Sequence, residues 1–288
     1  MATTTFTIAN ESGGDLYVYD FNYSTQSAVT PLGGGALENK KTLTLTLQSD
    51  AERRIYFSAQ RLSESLETGK APDPFNYTED ASVMFSFAEY RYEPGNNRYT
   101  FDLSYIDVFS YPVTVQFSNL GTYAGAVANH VYGPTSLSEV KTQLSNHKDY
   151  AWSALVWPLK NVKTKWNHFP DGIYRVIGPN TAWQQDLPDH KTGPWVPTSY
   201  EAFFSSLPKT GTELFGSQSN WDGWQSLTQS AAPGPSDTGY VKALHAAATP
   251  DANGKYGFFC YPRDNATGEF TWVPDSADCK ITVHSVDA

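Results

Sequence analysis

Cysteine is scarce in this sequence. The 288 residues include two, Cys260 and Cys279, too few for the disulfide network that stabilises small secreted scaffolds. The fold must therefore depend on a buried core, and a hydrophobic content of 40% is sufficient to form one. The two cysteines flank consecutive strand-like segments near the C-terminus, where they could pair, but spacing alone leaves this open.

Positive charge is also scarce. Lysine and arginine total 20, against 30 aspartate and glutamate residues, which gives a net charge of −10. An acidic surface repels phosphate groups, and this argues against nucleic acids and anionic membranes as partners. A neutral polymer such as a glucan meets no such repulsion.

Several kinds of segment are missing altogether. No run of about 18 apolar residues is present, so the sequence predicts no membrane span. The opening MATTTFTIANESGG has neither the basic nor the apolar region of a signal peptide. We therefore expect either an extracellular, secreted protein whose signal segment is absent from this chain, or a leaderless cytoplasmic one. The six histidines are scattered and no CxxC or HExxH spacing occurs, so the sequence predicts neither a metal site nor a cofactor.

Aromatic residues, in contrast, are abundant at 15% of the chain. Aromatic rings fill β-rich cores, and they also stack on the apolar faces of sugar rings. Core packing is expected to account for most of them. The candidates for sugar stacking are Tyr56, Tyr90, Tyr105, Phe109, Trp221 and Trp224.

Strand-like segments dominate the first 120 residues. Seven of them are rich in β-branched and aromatic residues: TFTIAN, DLYVYDFN, KTLTLTLQ, RRIYFSAQRL, SVMFSFAEYRY, RYTFDLSYID and PVTVQFSN. Breaks rich in glycine, proline and asparagine separate them. This spacing predicts a mainly β fold, either a sandwich or a barrel.

The pattern changes after residue 120. Ser136-Leu-Ser-Glu139 is a capping box followed by apolar residues at helical spacing, which predicts a helix at 137–148. Further helices are predicted at 199–207 and 237–248, with short strands in SALVWP and GIYRVIGP. The last forty residues return to strands in KYGFFCYP, GEFTWVP and CKITVHS. We therefore predict a β domain made of residues 1–120 and 249–288, interrupted by a mixed α/β segment, 121–248.

Two of these strand-like segments contain three carboxylates, Glu89, Asp102 and Asp107. The turn sequence EPGNN predicts a hairpin between the two segments. Symmetrical pairing about position 95 puts Glu89 opposite Phe101 and therefore near Asp102. Asp107 is five residues beyond Asp102, so a regular strand would place the two on opposite faces unless a bulge intervenes.

A group of neighbouring carboxyls suits the hydrolysis of glycosidic bonds. One carboxyl group must protonate the leaving oxygen, and a second must activate water or attack the sugar carbon. Neighbouring acids also raise one another's pKa, which keeps the acid protonated near neutral pH. The competing interpretation is an acidic hairpin that simply faces solvent.

AEY followed by FDLSYIDVFSYPV resembles the paired-strand motif of thaumatin-like proteins. It resembles more closely that of the glycoside hydrolase family 64 β-1,3-glucanases. RIYFSAQRL, YGPTSLSEVKTQL, YRVIGPN and DTGYVKALHAAATP resemble further segments of that family, so the similarity extends over most of the chain. The low cysteine count favours the glucanases over the disulfide-rich plant thaumatin-like proteins. The resemblance implies a thaumatin-like β-sandwich or barrel domain and a mixed α/β domain that flank a wide groove.

The resemblance also implies roles for individual residues. It makes Glu89 the general acid and Asp107 the general base of an inverting, endo-acting enzyme, which we expect to be a monomer. Such an enzyme would release short oligosaccharides from laminarin, curdlan or the fungal cell wall. Asp102 matches a further acid of the thaumatin-like cleft, and either Arg54 or Arg61 matches its arginine. The remaining candidates for substrate binding are Tyr56, Tyr90, Arg91 and Tyr105.

The sequence departs from the family directly after the proposed acid. The family carries sugar-contacting Thr and Asn residues there, whereas this chain has Arg91 and Glu93. This departure motivates the alternative hypothesis of a non-catalytic thaumatin-like protein that binds a glycan as an antifungal or toxin-like factor.

Overall fold

The computed structural model describes residues 4–48, 52–72, 83–146, 156–158, 174–178, 239–260 and 268–286. All seven strands predicted before residue 120 are present. They are β1 (Thr5–Glu11), β2 (Tyr17–Asn22), β3 (Thr42–Thr46), β4 (Arg53–Ser58), β5 (Phe85–Glu93), β6 (Arg98–Ser104) and β8 (Val113–Ser118). A two-residue strand, β7 (Val108–Phe109), lies between the last two. The prediction of a mainly β fold is confirmed.

The later part of the chain adds short strands and two described helices. These are β9 (Val131–Tyr132), α1 (Leu137–Asn146), β10 (Val156–Pro158), β11 (Tyr174–Ile177), α2 (Gly239–Ala246), β12 (Phe270–Pro274) and β13 (Asp278–His284). The backbone N–H of Glu139 donates to Ser136 Oγ at 3.1 Å, as the capping box predicts. The helix predicted at 199–207 lies outside the described residues. Neither described helix is long and apolar enough to cross a membrane.

The strand predicted in the segment KYGFFCYP is not formed by its described residues, 255–260, so this prediction is wrong. This stretch is irregular and joins β6 through a single bridge between Phe259 and Ser104. Gly257 has a left-handed φ of +75°, which a regular strand does not contain. A Cβ atom at Gly257 would lie 2.7 Å from the ring of Phe270 and 2.7 Å from the Cβ of Tyr132. The backbone of Gly257 therefore packs directly on these two side chains.

The described strands form three sheets. The first sheet has the order β3-β1-β13-β8-β9, and the second sheet has the order β12-β6-β5-β4-β2. A small sheet, β10-β11-β7, pairs the residues after β6 with strands from the middle of the chain. β13 lies between β1 and β8, parallel to β1, while β12 forms an edge of the second sheet beside β6. Each of the two C-terminal strands therefore completes a sheet built by the first part of the chain.

The side chains of β5 and β6 alternate between the core, which lies between the first and second sheets, and the opposite side of the second sheet. Phe6 of β1 packs edge-on against three rings of the second sheet, with centroid distances of 5.0 to 5.7 Å: Tyr90, Tyr99 and Phe101. Because side chains alternate along a strand, the neighbours Glu89 and Asp102 point to the other side. We call this other side of the second sheet, which carries Glu89 and Asp102, the distal face.

The two cysteines are buried free thiols, so they do not form the disulfide that the sequence left possible. Cys279 lies on β13 in the middle of the first sheet, whereas Cys260 follows the residue that bridges to β6 of the second sheet. Burial raises the pKa of both thiols above its ordinary value.

A partly buried histidine at the end of α2 makes stability depend on pH. The His245 ring stacks flat on Tyr256 at 3.8 Å and meets Phe258 edge-on at 5.7 Å. Burial lowers the pKa of His245 to about 4, so between about pH 6.5 and pH 4 the unfolded chain binds the proton that the folded chain excludes. We expect His245 to contribute about 2 kcal/mol to the fall in the free energy of unfolding from pH 7.5 to pH 5, beside a contribution from His284, whose pKa burial also lowers.

Urea unfolding at the two pH values measures this loss. His245→Phe keeps an aromatic ring against Tyr256 but removes this titrating group, so its stability should fall by about 2 kcal/mol less over the same pH interval. An equal loss in wild type and His245→Phe would show that other groups carry the pH dependence.

Candidate active site

Three charged side chains lie in one row across the centre of the second sheet. Arg54 of β4 pairs with Glu89 of β5, and Glu89 pairs with Asp102 of β6. All three therefore share the distal face, with neighbouring strands about 4.8 Å apart. We call Arg54, Glu89 and Asp102 the charged row.

The predicted register of the hairpin is wrong by one residue. Glu89 faces Asp102 directly, and not Phe101, because Glu93 pairs with Arg98 and the loop contains four residues, Pro94–Asn97. Asn97 takes a left-handed φ of +52°, which closes this loop. The shift brings the two carboxylates closer together than the sequence indicated.

Arg54 and Glu89 form an ion pair that is largely withdrawn from solvent. The Nε–H of Arg54 donates to Glu89 Oε1 at 2.5 Å, and the two side chains are 18% and 9% exposed. The guanidinium lies 3.9 Å from the ring centroid of Tyr23 and 4.7 Å from that of Phe87. These contacts fix the plane of the guanidinium and hence the direction of its hydrogen bond.

The charge state of Arg54 follows from the same surroundings. Burial alone would lower the pKa of Arg54, but the Tyr56 phenol and the Glu89 carboxylate raise it above its ordinary value. Arg54 is therefore a permanent cation beside Glu89.

Asp102 completes the row as a second buried acid. Its Cβ lies about 5 Å from that of Glu89, as expected for directly paired residues. With both acids ionised, the three side chains of the charged row carry a net charge of −1. A single proton held by one of the acids makes the row neutral.

Asp107 lies on the segment that leaves β6. The strand ends at Ser104, and Asp107 immediately precedes β7, which pairs with β11 of the small sheet. Its carbonyl oxygen accepts a hydrogen bond from the N–H of Gly178 at 2.8 Å. The parity argument drawn from a regular strand therefore does not apply, because the chain changes direction between Asp102 and Asp107.

The half-buried Asp107 side chain lies close enough to α2 to interact electrostatically with the Tyr240 phenol. Burial, the Cys260 thiol and the Asp107 carboxylate, in that order, raise the pKa of the Tyr240 phenol. The Tyr240 hydroxyl in turn donates a hydrogen bond to the carbonyl oxygen of Tyr105. Asp107 thus lies where the second sheet, the small sheet and α2 meet.

Four of the aromatic residues predicted to stack on sugars are core residues. Tyr56, Tyr90, Tyr105 and Phe109 are each 1% exposed or less, so none presents a ring to a ligand. Tyr90 points between the sheets and its hydroxyl donates to Asp20, and the Tyr105 hydroxyl donates to the carbonyl oxygen of Val113. Tyr56 is on the distal face but is covered by other rings. Trp221 and Trp224 lie outside the described residues.

The other predicted binding residues are separated from one another. Arg54 contacts Glu89, whereas Arg61 forms an exposed ion pair with Glu67 at 2.6 Å. Arg91 is exposed on the distal face near the hairpin loop, with its Nε 3.4 Å from Glu93 Oε1. The structure therefore distinguishes between the two arginines that the sequence left open: Arg54 belongs to the charged row.

Sequence reasoning missed Tyr23. This residue directly follows β2, and its exposed ring lies against the guanidinium of Arg54. The alternation of β2 does contain the signal, since Phe21 lies on the distal face opposite Arg54 and Tyr23 is two residues further on.

Comparison with known proteins agrees with the mainly β fold. The family model of glycoside hydrolase family 64, described as β-1,3-glucanase, matches residues 4–186. No curated protein sequence matches the chain.

Solved structures with the same fold are distant in sequence. A laminaripentaose-producing β-1,3-glucanase in complex with laminaritetraose has 17% identity, a TM-score of 0.55 and full coverage of both chains. A family 64 laminaripentaose-producing β-1,3-glucanase from Paenibacillus barengoltzii, complexed with laminarihexaose, has 17% identity and a TM-score of 0.57, covering 98% of this chain and 76% of that one.

The fold and the family match together define a glycoside hydrolase. More specifically, the chain belongs to glycoside hydrolase family 64, the family of β-1,3-glucanases.

Proposed function

We propose that this protein is an endo-acting, inverting β-1,3-glucan hydrolase in which Glu89 is the general acid and Asp107 the general base. The observation that carries the proposal is the charged row, in which a buried glutamate faces a second acid and is oriented by an arginine. One proton shared by the two buried acids leaves the charged row neutral, and the mechanism requires this proton to be on Glu89 when the substrate is bound.

Each member of the charged row has a separate task in this mechanism. Glu89 donates its proton to the glycosidic oxygen as the bond to the anomeric carbon breaks. Asp102 disfavours the ionised form of Glu89 before this transfer, and Arg54 stabilises the carboxylate that the transfer leaves behind. Arg54 also holds the Glu89 carboxyl group in one orientation.

Asp107 acts on the other reactant, water. In an inverting enzyme the base removes a proton from water as the water attacks the anomeric carbon from the face opposite the leaving group. The two catalytic carboxyl groups are then about 6.5–9.5 Å apart. A position on the segment after β6, beyond the charged row, suits a residue that must leave room for this water.

The substrate follows from family membership and charge. The solved relatives bind laminaritetraose and laminarihexaose, and we propose the same class of linear β-1,3-glucan for this chain. The polymer is neutral, so a protein with a net charge of −10 does not repel it. Because polymeric glucan does not enter cells, we propose that the enzyme acts outside the cell.

The experiment that tests the reaction follows the products formed from laminarin and curdlan. Proton NMR of the first products distinguishes the mechanisms, because inversion releases the α-anomer and retention releases the β-anomer. Discrete short oligosaccharides indicate endo action, whereas glucose alone would contradict it. Initial release of the β-anomer would exclude the proposed role of Asp107.

A variant of Asp107 tests the general base directly. We expect Asp107→Ala to reduce the rate of hydrolysis by about 10²–10⁴-fold, because water then attacks without a base. Azide needs no base, so it should restore turnover and give a glycosyl azide of inverted configuration. Azide should have no such effect on a Glu89 variant acting on an unactivated glucan. If Asp107→Ala keeps full activity, another residue is the base.

A second candidate function is glycan binding without hydrolysis. The exposed Arg91–Glu93 ion pair favours it, because it lies on β5 two to four residues beyond Glu89 and replaces the residue types expected there. A binding protein would sediment with curdlan yet release no soluble sugar over prolonged incubation.

A further inference from the structure

Two exposed aromatic side chains lie at opposite edges of the second sheet, which holds the charged row. Tyr23 directly follows β2 and is 36% exposed, and Trp272 lies on β12 and is 47% exposed. Among the described residues, only Val131 is a further large hydrophobic side chain with comparable exposure. Tyr23 and Trp272 are therefore not part of a generally apolar surface.

The strand pairing places Trp272 on the distal face. Phe270 and Val273 are buried and pair with core residues of β6, and the register shifts between them. Thr271 and Trp272 thus form a bulge opposite Thr100, and both are exposed. Thr100 pairs with Arg91, which is two residues from Glu89 on the same face of β5. Trp272 therefore lies one step along the strands from the charged row.

The backbone of Trp272 adds an independent observation. Its φ of +60° is in the left-handed region, which a bulky residue avoids and glycine adopts freely. A tryptophan that is both strained and exposed gains little from packing in the free protein. Strain of this kind is concentrated where a side chain must be presented to a ligand.

Tyr23 occupies the corresponding place at the opposite edge. Its ring lies against the Arg54 guanidinium, so it borders the charged row directly. Four strand spacings separate β2 from β12, which is about 19 Å and spans several sugar rings.

We propose that Trp272 and Tyr23 are aromatic platforms that hold one β-1,3-glucan chain across the strands, one at each end of the row of residues next to the charged row. Each ring stacks on the apolar face of a sugar unit, and the chain between them passes over Arg91 and Thr100, beside the two acids of the charged row. The inference rests on the proposed function for its substrate, but it concerns binding and not bond cleavage.

The test uses Trp272→Gly, with laminarihexaose binding measured by calorimetry in the Glu89→Gln background. We expect roughly tenfold weaker binding, because a stacking platform is lost. Glycine also relieves the left-handed backbone, so the melting temperature should stay constant or rise. Trp272→Phe should keep most of the affinity. In the catalytically intact protein, Trp272→Gly should raise KM with little change in kcat.

Tyr23 and a matched control complete the experiment. Tyr23→Ala should weaken laminarihexaose binding by a similar factor, whereas Tyr23→Phe should not. Val131→Ala removes an exposed hydrophobic side chain from β9 of the first sheet and should leave both affinity and KM unchanged. Cellohexaose tests whether the platforms are arranged for the β-1,3 linkage.

Three results would overturn the proposal. They are unchanged affinity in Trp272→Gly, a loss of affinity accompanied by a lower melting temperature in both Trp272→Gly and Trp272→Phe, and no binding of laminarihexaose by wild type. Failure of the proposed function gives a different result. A wild-type protein that releases no sugar but binds laminarihexaose in a Trp272-dependent way supports the platforms and excludes the hydrolase.

Discussion

Glu89→Gln is expected to reduce the rate of laminarin hydrolysis by about 10²–10⁴-fold while the protein stays folded. Glutamine has nearly the same shape as glutamic acid but has no carboxyl proton to give to the leaving oxygen. Its side-chain oxygen still accepts the hydrogen bond from Arg54 Nε, so the charged row keeps its geometry. Released reducing sugar measures the loss, and the melting temperature verifies that the fold is intact.

A matched substitution separates the chemical effect from the loss of an ion pair. Glu67→Gln also removes a carboxylate from an arginine, in this case the exposed Arg61, and should leave the hydrolysis rate unchanged. Asp102→Asn should keep part of the activity but shift the pH dependence of kcat, because Asp102 acts through Glu89. The opposite outcome, an active Glu89→Gln and an inactive Asp102→Asn, would make Asp102 the acid.

The strands and the neighbourhood of Glu89 and Asp102 were predictable because they depend on local patterns. Alternation and turn residues identify strands, and the hairpin joins two segments that are adjacent in sequence. The register was not predictable to within one residue, since it depends on the left-handed conformation of Asn97. The four-residue loop that Asn97 closes makes Glu89 face a second acid and not a phenylalanine.

The sequence did not show which aromatic side chains are exposed and which lie in the core. Alternation divides β5 into two faces, but it does not say which face packs on another sheet. Tyr90 therefore looked like a candidate for sugar stacking, although it lies in the core between the sheets. The exposure of Trp272 depends on a bulge against β6, a contact between residues some 170 positions apart that no local pattern encodes.

Arg54→Met is expected to destabilise the fold by about 3–5 kcal/mol and to abolish most of the activity. Methionine fills much of the same volume between Tyr23 and Phe87 but carries no charge. The remaining carboxylate charge of Glu89 and Asp102 then lies in a largely buried site without its cation. Removing one member of a buried pair costs more than the pair itself contributes, because the remaining charge is no longer solvated.

Urea unfolding measures this loss, and a second arginine provides the control. Arg61→Met breaks an ion pair whose arginine is exposed and whose glutamate keeps its hydrogen bond from the Tyr19 hydroxyl, and its unfolding midpoint should move little. Arg54→Lys keeps the charge but loses the planar contact with Tyr23, so its stability should fall between wild type and Arg54→Met. Equal midpoints for Arg54→Met and Arg61→Met would contradict a buried charged row.

The loss of stability in Arg54→Met should depend on the charge of Glu89. In the Glu89→Gln background no carboxylate is left beside position 54, so adding Arg54→Met should cost clearly less than it does in wild type. For the same reason, the stability difference between wild type and Arg54→Met should shrink as the pH is lowered and the acids of the row bind protons. A difference that stays constant with pH would mean that Arg54 stabilises the sheet through packing, and the electrostatic role assigned to it in catalysis would then have no support.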